Sequence, residues 1–171
     1  MASAADSQVK RLKREFKKCQ KAALKEDYFT YTIACDSSGK EDITKWTLHF
    51  QGPENYSDDP TGEETKSGKP RPSPYRKGMF TVSLEFPPQY PSTPPRIQFA
   101  TKVFHPNIRI EDGKVCNNFW DGVWNLQSNA LLVVEVLRGL LANPNYKDHV
   151  ETEPAKLLQS DIVEYEKKVM E

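Results

Sequence analysis

The sequence predicts an α+β domain, and three patterns lead to that prediction. Apolar residues recur at helical spacing near the N-terminus, then alternate with polar residues in four short segments, and finally return to helical spacing. Since no helical stretch separates the four alternating segments, we expect an antiparallel four-stranded meander. A chain of 171 residues can bury a sizeable core, so residues 1–171 are expected to form one domain.

The first helix is predicted from an apolar stripe whose members lie three or four positions apart: Val9, Leu12, Phe16, Cys19 and Ala23. Asp6 or Ser7 is expected to cap its start. Because it belongs to the apolar stripe, Cys19 is expected to be buried. The opposite face is basic and is either a solvated surface or a docking surface. The candidates for partner contact on that face are Lys10, Lys13, Arg14 and Lys17.

The four strands are predicted at residues whose apolar and polar side chains alternate: 29–35, 46–50, 80–86 and 97–99. Cys35 ends the inward-facing set of the first strand, so a structural role is expected for it. Residues 51–77 contain five prolines and few apolar groups. This composition predicts a functional loop or, preferably, a mobile insertion at about 54–73. Residues 87–95, PPQYPSTPP, are expected to follow an extended, polyproline-like path.

Two further helices are predicted in the C-terminal part of the chain. The first, at about 130–141, is apolar around nearly its whole circumference and is expected to be the most buried helix. Ser128 is its expected cap, and Asn143-Pro144 ends it. The second is amphipathic, with Pro154 near its first position and an apolar stripe that continues to Val169.

Composition limits the possible functions. Lysine and arginine total 24, and aspartate and glutamate total 24, so net charge provides no attraction to nucleic acid or to an anionic membrane. No apolar run approaches the roughly 18 residues of a membrane span, and the N-terminus lacks an apolar signal core. Three widely spaced cysteines argue against a disulfide framework. We therefore expect a protein of a reducing compartment, cytoplasmic or nuclear.

The most informative segment is residues 101–124, TKVFHPNIRIEDGKVCNNFWDGVW. Pro106 removes a backbone donor and Asp112-Gly113 marks a tight turn, so regular structure cannot run through the whole segment. Cys116 follows that turn among polar neighbours, where a thiol serves either chemistry or the scaffold. Since the other two cysteines are assigned to apolar faces, Cys116 is the candidate reactive thiol.

Several motifs occur together in this chain: Gly52-Pro53, Pro74-Tyr75, the segment EFPPQYPSTPP, His105-Pro106-Asn107, Gly113-Lys114-Val115-Cys116, Trp124 and Pro144-Asn145. His-Pro-Asn followed shortly by cysteine, with Tyr-Pro-x-x-Pro-Pro upstream, is a specific combination. On these motifs the chain resembles the ubiquitin-conjugating enzymes over nearly its whole length. The resemblance implies that family's α+β fold.

The resemblance also implies an activity and partners. Cys116 would receive the C-terminal carboxyl of ubiquitin, or of a related modifier, from an activating enzyme as a thioester. A substrate lysine would then attack that thioester, often with a ubiquitin ligase holding donor and acceptor together. No cofactor is expected, because the activating enzyme would consume the ATP and this chain has no phosphate-binding loop. Neither nucleic acid nor a membrane is an expected partner.

Two more residues acquire roles through the resemblance. In the family, the asparagine of His-Pro-Asn is assigned to the oxyanion or to holding the active-site loop, and the Asn107 amide can donate to a developing negative charge. Many members have an acid shortly after Pro-Asn that orients or deprotonates the lysine, and Asp148 occupies that place. The alternative for Asp148 is a loop carboxylate that only caps or solvates. His105 is expected to be buried, hydrogen-bonded and structural.

The chain also departs from the family pattern. Nine positions separate Asn107 from Cys116, one more than usual, so the loop between them is expected to bulge. Asn117 stands where an apolar residue normally follows the cysteine. Ser92 and Leu126 lie on the surface that RING and HECT ligases commonly grip, and neither is the usual residue there. The cognate ligase is therefore not predicted.

Three alternatives remain open. A catalytically inactive conjugating-enzyme variant would act as a binding module, although such variants typically lack the cysteine. A cysteine hydrolase would use Cys116 with His105 or His149, but the sequence shows no triad signature. A metal site is the weakest alternative, because the chain has no C-x-x-C pair and no histidine cluster.

Overall fold

The computed structural model describes residues 4–58, 60, 69–116 and 118–171. The elements in these ranges are α1 (Ala4–Ala23), β1 (Phe29–Cys35), β2 (Glu41–Gln51), β3 (Met79–Glu85), β4 (Arg96–Phe99), α2 (Ala130–Ala142), α3 (Thr152–Ser160) and α4 (Ile162–Met170). This order confirms the predicted α+β class. The largest difference among the strands is β2, which begins five residues earlier than its alternating pattern indicates.

The sheet is an antiparallel meander in the order β1-β2-β3-β4, as the sequence predicts. Phe50 on β2 lies opposite Phe29 on β1 and Phe80 on β3. All three side chains are buried, so aromatic rings from three neighbouring strands share the inner face of the sheet. Cross-strand aromatic pairs of this kind stabilise a sheet beyond the backbone hydrogen bonds.

One irregularity in the sheet changes the assignment of a cysteine. Ile33 lies opposite Trp46, but the next residue, Ala34, lies opposite Asp42. This shift in register interrupts the alternation of inward and outward side chains. Cys35 is therefore exposed, and the expectation that it belongs to the inward-facing set is wrong.

The inner face of the sheet packs against α1 and α2. Leu12 and Cys19 of α1 are fully buried, which confirms the predicted apolar stripe. Burial, with the nearby Glu15 carboxylate, raises the pKa of the Cys19 thiol to about 12, so this thiol stays protonated. Leu137 and Leu141 of α2 are also fully buried. Each such leucine contributes roughly 1.5–3 kcal/mol through the hydrophobic effect.

A buried carboxylate, Glu15, joins three parts of the fold. It accepts hydrogen bonds from Arg11 Nε at 2.7 Å, from the Tyr90 hydroxyl at 2.5 Å and from Ala130 N–H at 2.9 Å. Ala130 is the first residue of α2, so the negative charge lies at the positive end of that helix. The side chain therefore fixes α1 against both α2 and the segment 87–95.

The starts of α1 and α2 differ from the predicted ones. α1 begins at Ala4, so Asp6 lies in its first turn and does not cap it. The cap of α2 is Asn129, whose side chain accepts a hydrogen bond from Leu131 N–H. Ser128 instead accepts a hydrogen bond from the N–H of Asn125, in the turn that precedes the helix.

The single C-terminal helix that the apolar stripe predicts is in fact two helices, α3 and α4, separated by Asp161. The N–H of Asp161 donates to Leu157 O at the end of α3, and its side chain accepts from Glu164 N–H in α4. An aspartate in this position favours a new helix start. The apolar periodicity continues across the break, and Tyr165 of α4 is fully buried. Pro154 is the third residue of α3.

Residues 88–92 form a turn and residue 93 a bend, so the extended path predicted for 87–95 is wrong there. Tyr90 N–H donates to Pro87 O at 2.9 Å, and the Tyr90–Pro91 peptide bond is cis. The Trp124 indole donates to Pro91 O at 2.8 Å. This bond brings the segment 87–95 next to the loop that follows Cys116.

The two ends of the predicted insertion pair with each other. Tyr56 N–H donates to Arg71 O and Ser73 N–H donates to Glu54 O, both at 2.9 Å. The Arg71 guanidinium forms two further hydrogen bonds with the carboxylate of Glu166 in α4, at 2.8 and 3.1 Å. Tyr56 and Ser73 are buried. These contacts attach both ends of the insertion to the core.

We refer to residues 54–56 and 71–73 as the neck. The neck is paired and packed against the core, and the mobility expected of the insertion at about 54–73 stays a prediction. Residues 59 and 61–68 lie outside the part of the chain that the structure describes, so mobility there stays a prediction.

Candidate active site

Cys116 is held by the backbone of the same loop that precedes it. Its N–H donates to Asn107 O at 3.1 Å, and Arg109 N–H donates to Lys114 O at 2.9 Å. The segment between Asn107 and Cys116 therefore folds back on itself as a hairpin-like loop. The backbone contact between Asn107 and Cys116 is thus made across the nine-position spacing.

The turn of this loop depends on a glycine. Gly113 has a φ of +72°, and a Cβ at this position would lie 1.9 Å from Phe99 O. Phe99 N–H also donates to Gly113 O at 2.8 Å, which attaches the turn to β4. Asp112 forms ion pairs with Arg109 and Lys114, both at 3.1 Å. Only glycine fits this close contact in a left-handed conformation.

The Asn107 side chain holds the loop that carries Asp148. Its Nδ2 donates to Asn145 O at 2.9 Å and to Asp148 O at 2.8 Å, and its Oδ1 accepts from Asn145 N–H at 2.9 Å. Asn107 is 2 % exposed. Of the two roles that the resemblance implies, this geometry matches loop holding, because both amide hydrogens are already donated.

His105 is fully buried, and both ring nitrogens have partners. Nδ1 accepts from Asn107 N–H at 3.0 Å, so Nε2 carries the proton and donates to Leu140 O at 3.1 Å. A proton on Nδ1 would point at the Asn107 N–H, which is itself a hydrogen-bond donor. Burial lowers the pKa of His105 to about 3. The expectation of a structural, hydrogen-bonded histidine is confirmed.

His105 makes the stability of the protein dependent on pH. An unfolded histidine has a pKa of about 6.5, whereas burial holds the folded value at about 3. The folded state therefore binds fewer protons between these two values, and stability falls as the pH decreases from 6.5. One histidine contributes about 1.4 kcal/mol per pH unit in this window. Urea unfolding of the wild type and His105→Gln at pH 7, 6, 5 and 4.5 should give a flatter dependence for the variant.

The matched control for this prediction is His149→Gln. His149 is exposed, so its replacement should leave the slope of stability against pH unchanged. Parallel curves for His105→Gln and the wild type would contradict the assignment of a buried, neutral histidine.

Cys116 is half-buried and lines a shallow cleft of about 190 Å³. The cleft is lined by Asn107, Cys116, Asn118, Phe119, Leu140, Asn143, Asn145 and Asp148. Burial raises the pKa of the Cys116 thiol, and the Asp148 carboxylate raises it further. Asp148 therefore lies near enough to act on the sulfur electrostatically. Asn117 lies outside the described residues, so the effect of its polar side chain stays unresolved.

Asn118 faces Asp148 across the cleft. Its Nδ2 donates a hydrogen bond to the Asp148 carboxylate. A carboxylate that accepts such a bond has one oxygen fixed and the other available to a second donor. The sequence patterns assign no role to Asn118. The available signal was its position, two residues after the candidate thiol.

The charge of Asp148 can be tested through the reactivity of Cys116. Replacing Asp148 with Asn removes the negative charge, so the pKa of Cys116 should decrease and the thiolate should form at lower pH. The rate of alkylation by iodoacetamide, measured against pH by mass spectrometry of the Cys116 peptide, should therefore move to lower pH. Asp121→Asn is the control, since Asp121 is an exposed acid of the same loop. An unchanged profile for Asp148→Asn would contradict the electrostatic contact.

The candidate partner residues lie on two surfaces. Those on the basic face of α1 are exposed: Lys10, Lys13, Arg14 and Lys17. Ser92 is exposed in the segment 87–95, and Leu126 is 64 % exposed in the loop after Trp124. The hydrogen bond between Trp124 and Pro91 keeps these two segments adjacent. The structure thus brings Ser92 and Leu126 into one region and leaves the basic residues on a helix face.

The cleft defines a class of protein. Its lining, which belongs to the described residues, contains one thiol and one carboxylate and no histidine. His105 is buried, and His149 Nδ1 lies 2.8 Å from Tyr146 O. A hydrolase would need a base beside the sulfur. The arrangement therefore fits a protein that carries an acyl group on cysteine and passes it to another acceptor.

Comparison with known proteins identifies the family. A sequence model described as ubiquitin-conjugating enzyme matches residues 65–171. Ubiquitin conjugating enzyme E2 B of Dictyostelium discoideum is 32 % identical over 121 residues, which are 71 % of this chain and 70 % of that protein. Protein PEROXIN-4 of Arabidopsis thaliana is 29 % identical over 157 residues, 90 % of this chain and 83 % of that protein. The chain belongs to the ubiquitin-conjugating enzyme family.

A solved structure agrees with the observed fold. The domain of a ubiquitin conjugating enzyme from Toxoplasma gondii superimposes with a TM-score of 0.74 at 23 % identity, covering 95 % of this chain and 94 % of that one. Family members carry a modifier on a cysteine as a thioester, and they work with ubiquitin, activating enzymes and ligases.

Two features are absent from the described part of the chain. None of the helices is long and apolar enough to cross a membrane. No cluster of three or more histidine, cysteine, aspartate or glutamate side chains is placed to hold a metal ion.

Proposed function

We propose that Cys116 is the residue of this chain that carries ubiquitin. The observation behind this proposal is the cleft, where Cys116 is half-buried beside the Asp148 carboxylate. Cys19 is fully buried with a pKa of about 12, and Cys35 lies at the end of an edge strand, away from the cleft lining. Cys116 alone combines access with a neighbouring group that can act on an incoming amine.

The reaction then consists of two acyl transfers. In the first, the Cys116 thiolate attacks the thioester carbonyl of ubiquitin on the activating enzyme, and the thiolate of that enzyme leaves. In the second, a neutral lysine amine attacks the thioester on Cys116, its nitrogen gives up a proton to the Asp148 carboxylate or to solvent, the amide bond forms, and the Cys116 thiolate leaves. A thiol leaves far more readily than an alcohol, so the thioester keeps its acyl-transfer potential. ATP is consumed by the activating enzyme, and this chain needs no cofactor of its own.

Asp148 is proposed to orient or deprotonate the attacking lysine, and the Asn118 amide holds one of its oxygens. Asn107 keeps Asp148 near the sulfur, because its amide donates to the Asp148 backbone. Positioning of this kind accounts for a large part of the rate of acyl transfer to an amine. The elevated pKa of Cys116 fits a thiol that does not react indiscriminately.

A charging assay tests the proposal directly. The chain is incubated with an activating enzyme, ubiquitin and ATP-Mg, and the products are separated on a non-reducing gel. An adduct that disappears on addition of thiol is expected. Cys35→Ser should leave this adduct in place. If no adduct forms with any of a panel of ubiquitin-like modifiers, the inactive-variant alternative is favoured.

Asp148→Ala should separate the two transfers. Charging of Cys116 requires no lysine and should stay within about twofold of the wild type, whereas discharge to free lysine should slow by about tenfold to a hundredfold. The measurement is a single-turnover chase of the charged protein with lysine over a range of pH. An equal loss in both steps would contradict the assigned role.

Asn118→Ala and Asn118→Asp refine that test. The alanine variant loses the bond that orients Asp148, so its discharge should be slowed by less than that of Asp148→Ala. The aspartate variant places two carboxylates against each other, so its discharge should be the more impaired at high pH, where both are charged. Asn125→Asp, a similar change at an exposed residue of a nearby loop, is the control.

Partners and location complete the proposal. The basic face of α1 is proposed to contact the activating enzyme or a ligase through Lys10, Lys13, Arg14 and Lys17. A ligase is also proposed to contact Ser92 and Leu126. The compartment is proposed to be the cytoplasm or nucleus. The likeness to a protein named PEROXIN-4 supports an association with peroxisomes as the alternative. Imaging of a tagged chain beside a peroxisomal marker distinguishes these locations.

A further inference from the structure

A second concave surface lies apart from the cleft of Cys116. It is a groove of about 400 Å³ between the turn that precedes β3, the end of β4 and the last turn of α4. Its floor is made of buried Tyr75, Phe80 and Val103. None of the residues that line it belongs to the lining of the cleft. The groove is therefore a separate site.

Two flexible apolar side chains at the groove are exposed to solvent. Met79 is 62 % exposed and Met170 is 64 % exposed, and both line the groove. Methionine is frequent at surfaces that bind other proteins, because its unbranched side chain adapts to the shape of a partner. A partner that covers these two side chains would remove their apolar surface from water, and this burial would stabilise the complex.

The charge at the groove is one-sided. Its lining contains the cations Arg76, Lys77 and Lys102 and no carboxylate, although the whole chain has no net charge. Among the described residues, Lys77 and Lys102 form no ion pair, and both are exposed. Three acidic groups are nearby. Glu166 pairs with Arg71 at 2.8 Å and lines an adjoining pocket with Arg76 and Met170. Glu171 follows Met170, and Glu153 pairs with Lys168 at 3.0 Å.

The groove is formed before any partner binds. Gly78 N–H donates to Tyr75 O at 2.9 Å, and Gly52 N–H donates to Gly78 O at 3.0 Å. Arg76 Nη1 donates to Ser73 O at 2.9 Å, which fixes the position of the guanidinium group. A preformed surface loses little conformational entropy on binding.

We infer that this groove docks a short acidic segment of a partner protein whose apolar side chains contact Met79 and Met170. The carboxylates of that segment pair with Lys77, Lys102 and Arg76. Apolar anchors within a polar, charged rim are the usual anatomy of a protein interface. Three cations are too few for the extended phosphate tracking of a nucleic acid, so a peptide is the favoured occupant.

The test uses a phage library of random twelve-residue peptides, panned on the 171-residue chain. Selected peptides should combine aspartate or glutamate with bulky apolar residues. Their binding, measured by fluorescence polarisation of the synthetic peptides, should weaken at least about tenfold with Lys77→Glu/Lys102→Glu and with Met79→Ser/Met170→Ser. The paired control is Lys25→Glu/Lys40→Glu, two exposed lysines outside the groove, which should bind as the wild type does.

The proposed occupant is overturned if no acidic peptide is selected, or if the selected peptides bind the groove variants and the wild type equally. A twelve-nucleotide oligothymidine is the competing probe. If it binds more tightly than any peptide and loses this binding in the same variants, the occupant of the groove is a nucleic acid and not a peptide. The four groove residues are exposed, so the variants should fold, and ubiquitin charging confirms this. Because charging is scored separately, loss of peptide binding is distinguishable from failure of the proposed function.

Discussion

Replacing Cys116 with Ser is expected to convert a thiol-sensitive ubiquitin adduct into a thiol-resistant one, or to abolish it. A serine hydroxyl ionises far less readily than a thiol, so the attack on the donor thioester is slower. Any ester that forms has a poor leaving group. We therefore expect discharge to lysine to fall by at least about a hundredfold, which corresponds to about 2.7 kcal/mol in the barrier.

The structure supplies a matched control for this experiment. Cys35→Ser makes the same chemical change at an exposed thiol that lies away from the cleft. Its charging and discharge should equal those of the wild type on a non-reducing gel and in a single-turnover chase. If a thiol-sensitive adduct persists in Cys116→Ser and disappears in Cys35→Ser, the carrier is Cys35 and the assignment of Cys116 is refuted.

The largest change in stability is expected for Glu15→Ala. The variant leaves the Tyr90 hydroxyl and the Ala130 N–H without their acceptor in a buried location, and it removes a negative charge from the start of α2. Unsatisfied buried groups and broken buried pairs of this kind typically cost about 2–4 kcal/mol. Urea unfolding at pH 7 should show this loss as a lower transition midpoint with an unchanged slope.

Two further variants identify the cause of the loss. Glu15→Gln keeps one acceptor oxygen without the charge and should lose about half as much. Glu26→Ala replaces an exposed glutamate just after α1 and should be within about 0.5 kcal/mol of the wild type. Equal stabilities of Glu15→Ala and Glu26→Ala would show that the buried network contributes little.

Local patterns in the sequence predict much of this fold. The spacing of Leu12 and Cys19 gives the buried stripe of α1, and the alternation around Phe50 and Phe80 gives strands of the correct type and order. These patterns succeed because helix and strand periodicities are set by the backbone itself. The same local reasoning places Cys116 in an irregular loop.

The predictions from sequence are wrong or incomplete where the structure depends on contacts between residues far apart in the chain. Cys35 is exposed because the pairing of β1 with β2 shifts, and register depends on both strands. Glu15 was not recognised as a network residue, since its partner Ala130 lies 115 positions away. The break at Asp161 is different: Ser-Asp there was a readable cap signal, but the continuing apolar stripe concealed it.

For the candidate site, the motif supplied the residues and the structure supplied their relation. Asn107 and Asp148 could be named from the resemblance, but the 2.8 Å bond from the Asn107 amide to the Asp148 backbone joins residues 41 positions apart. The role of Asn118 depends on the folded path of two loops. The sequence therefore identifies the residues of such a site better than it identifies their hydrogen-bond partners.

The paired neck has a practical consequence for labelling. Ser57 N–H, at the end of the neck, donates to Ala142 O at 2.9 Å, and the next residue, Asn143, lines the cleft. A fluorophore attached at the exposed residue 58 would thus lie next to the end of α2 without replacing any residue of the core. Because the cost of closing a loop grows only slowly with its length, doubling the length between the two halves of the neck should cost only about 0.6 kcal/mol. An epitope could be inserted between the two halves of the neck, or a donor dye attached there, to follow ubiquitin loading in real time.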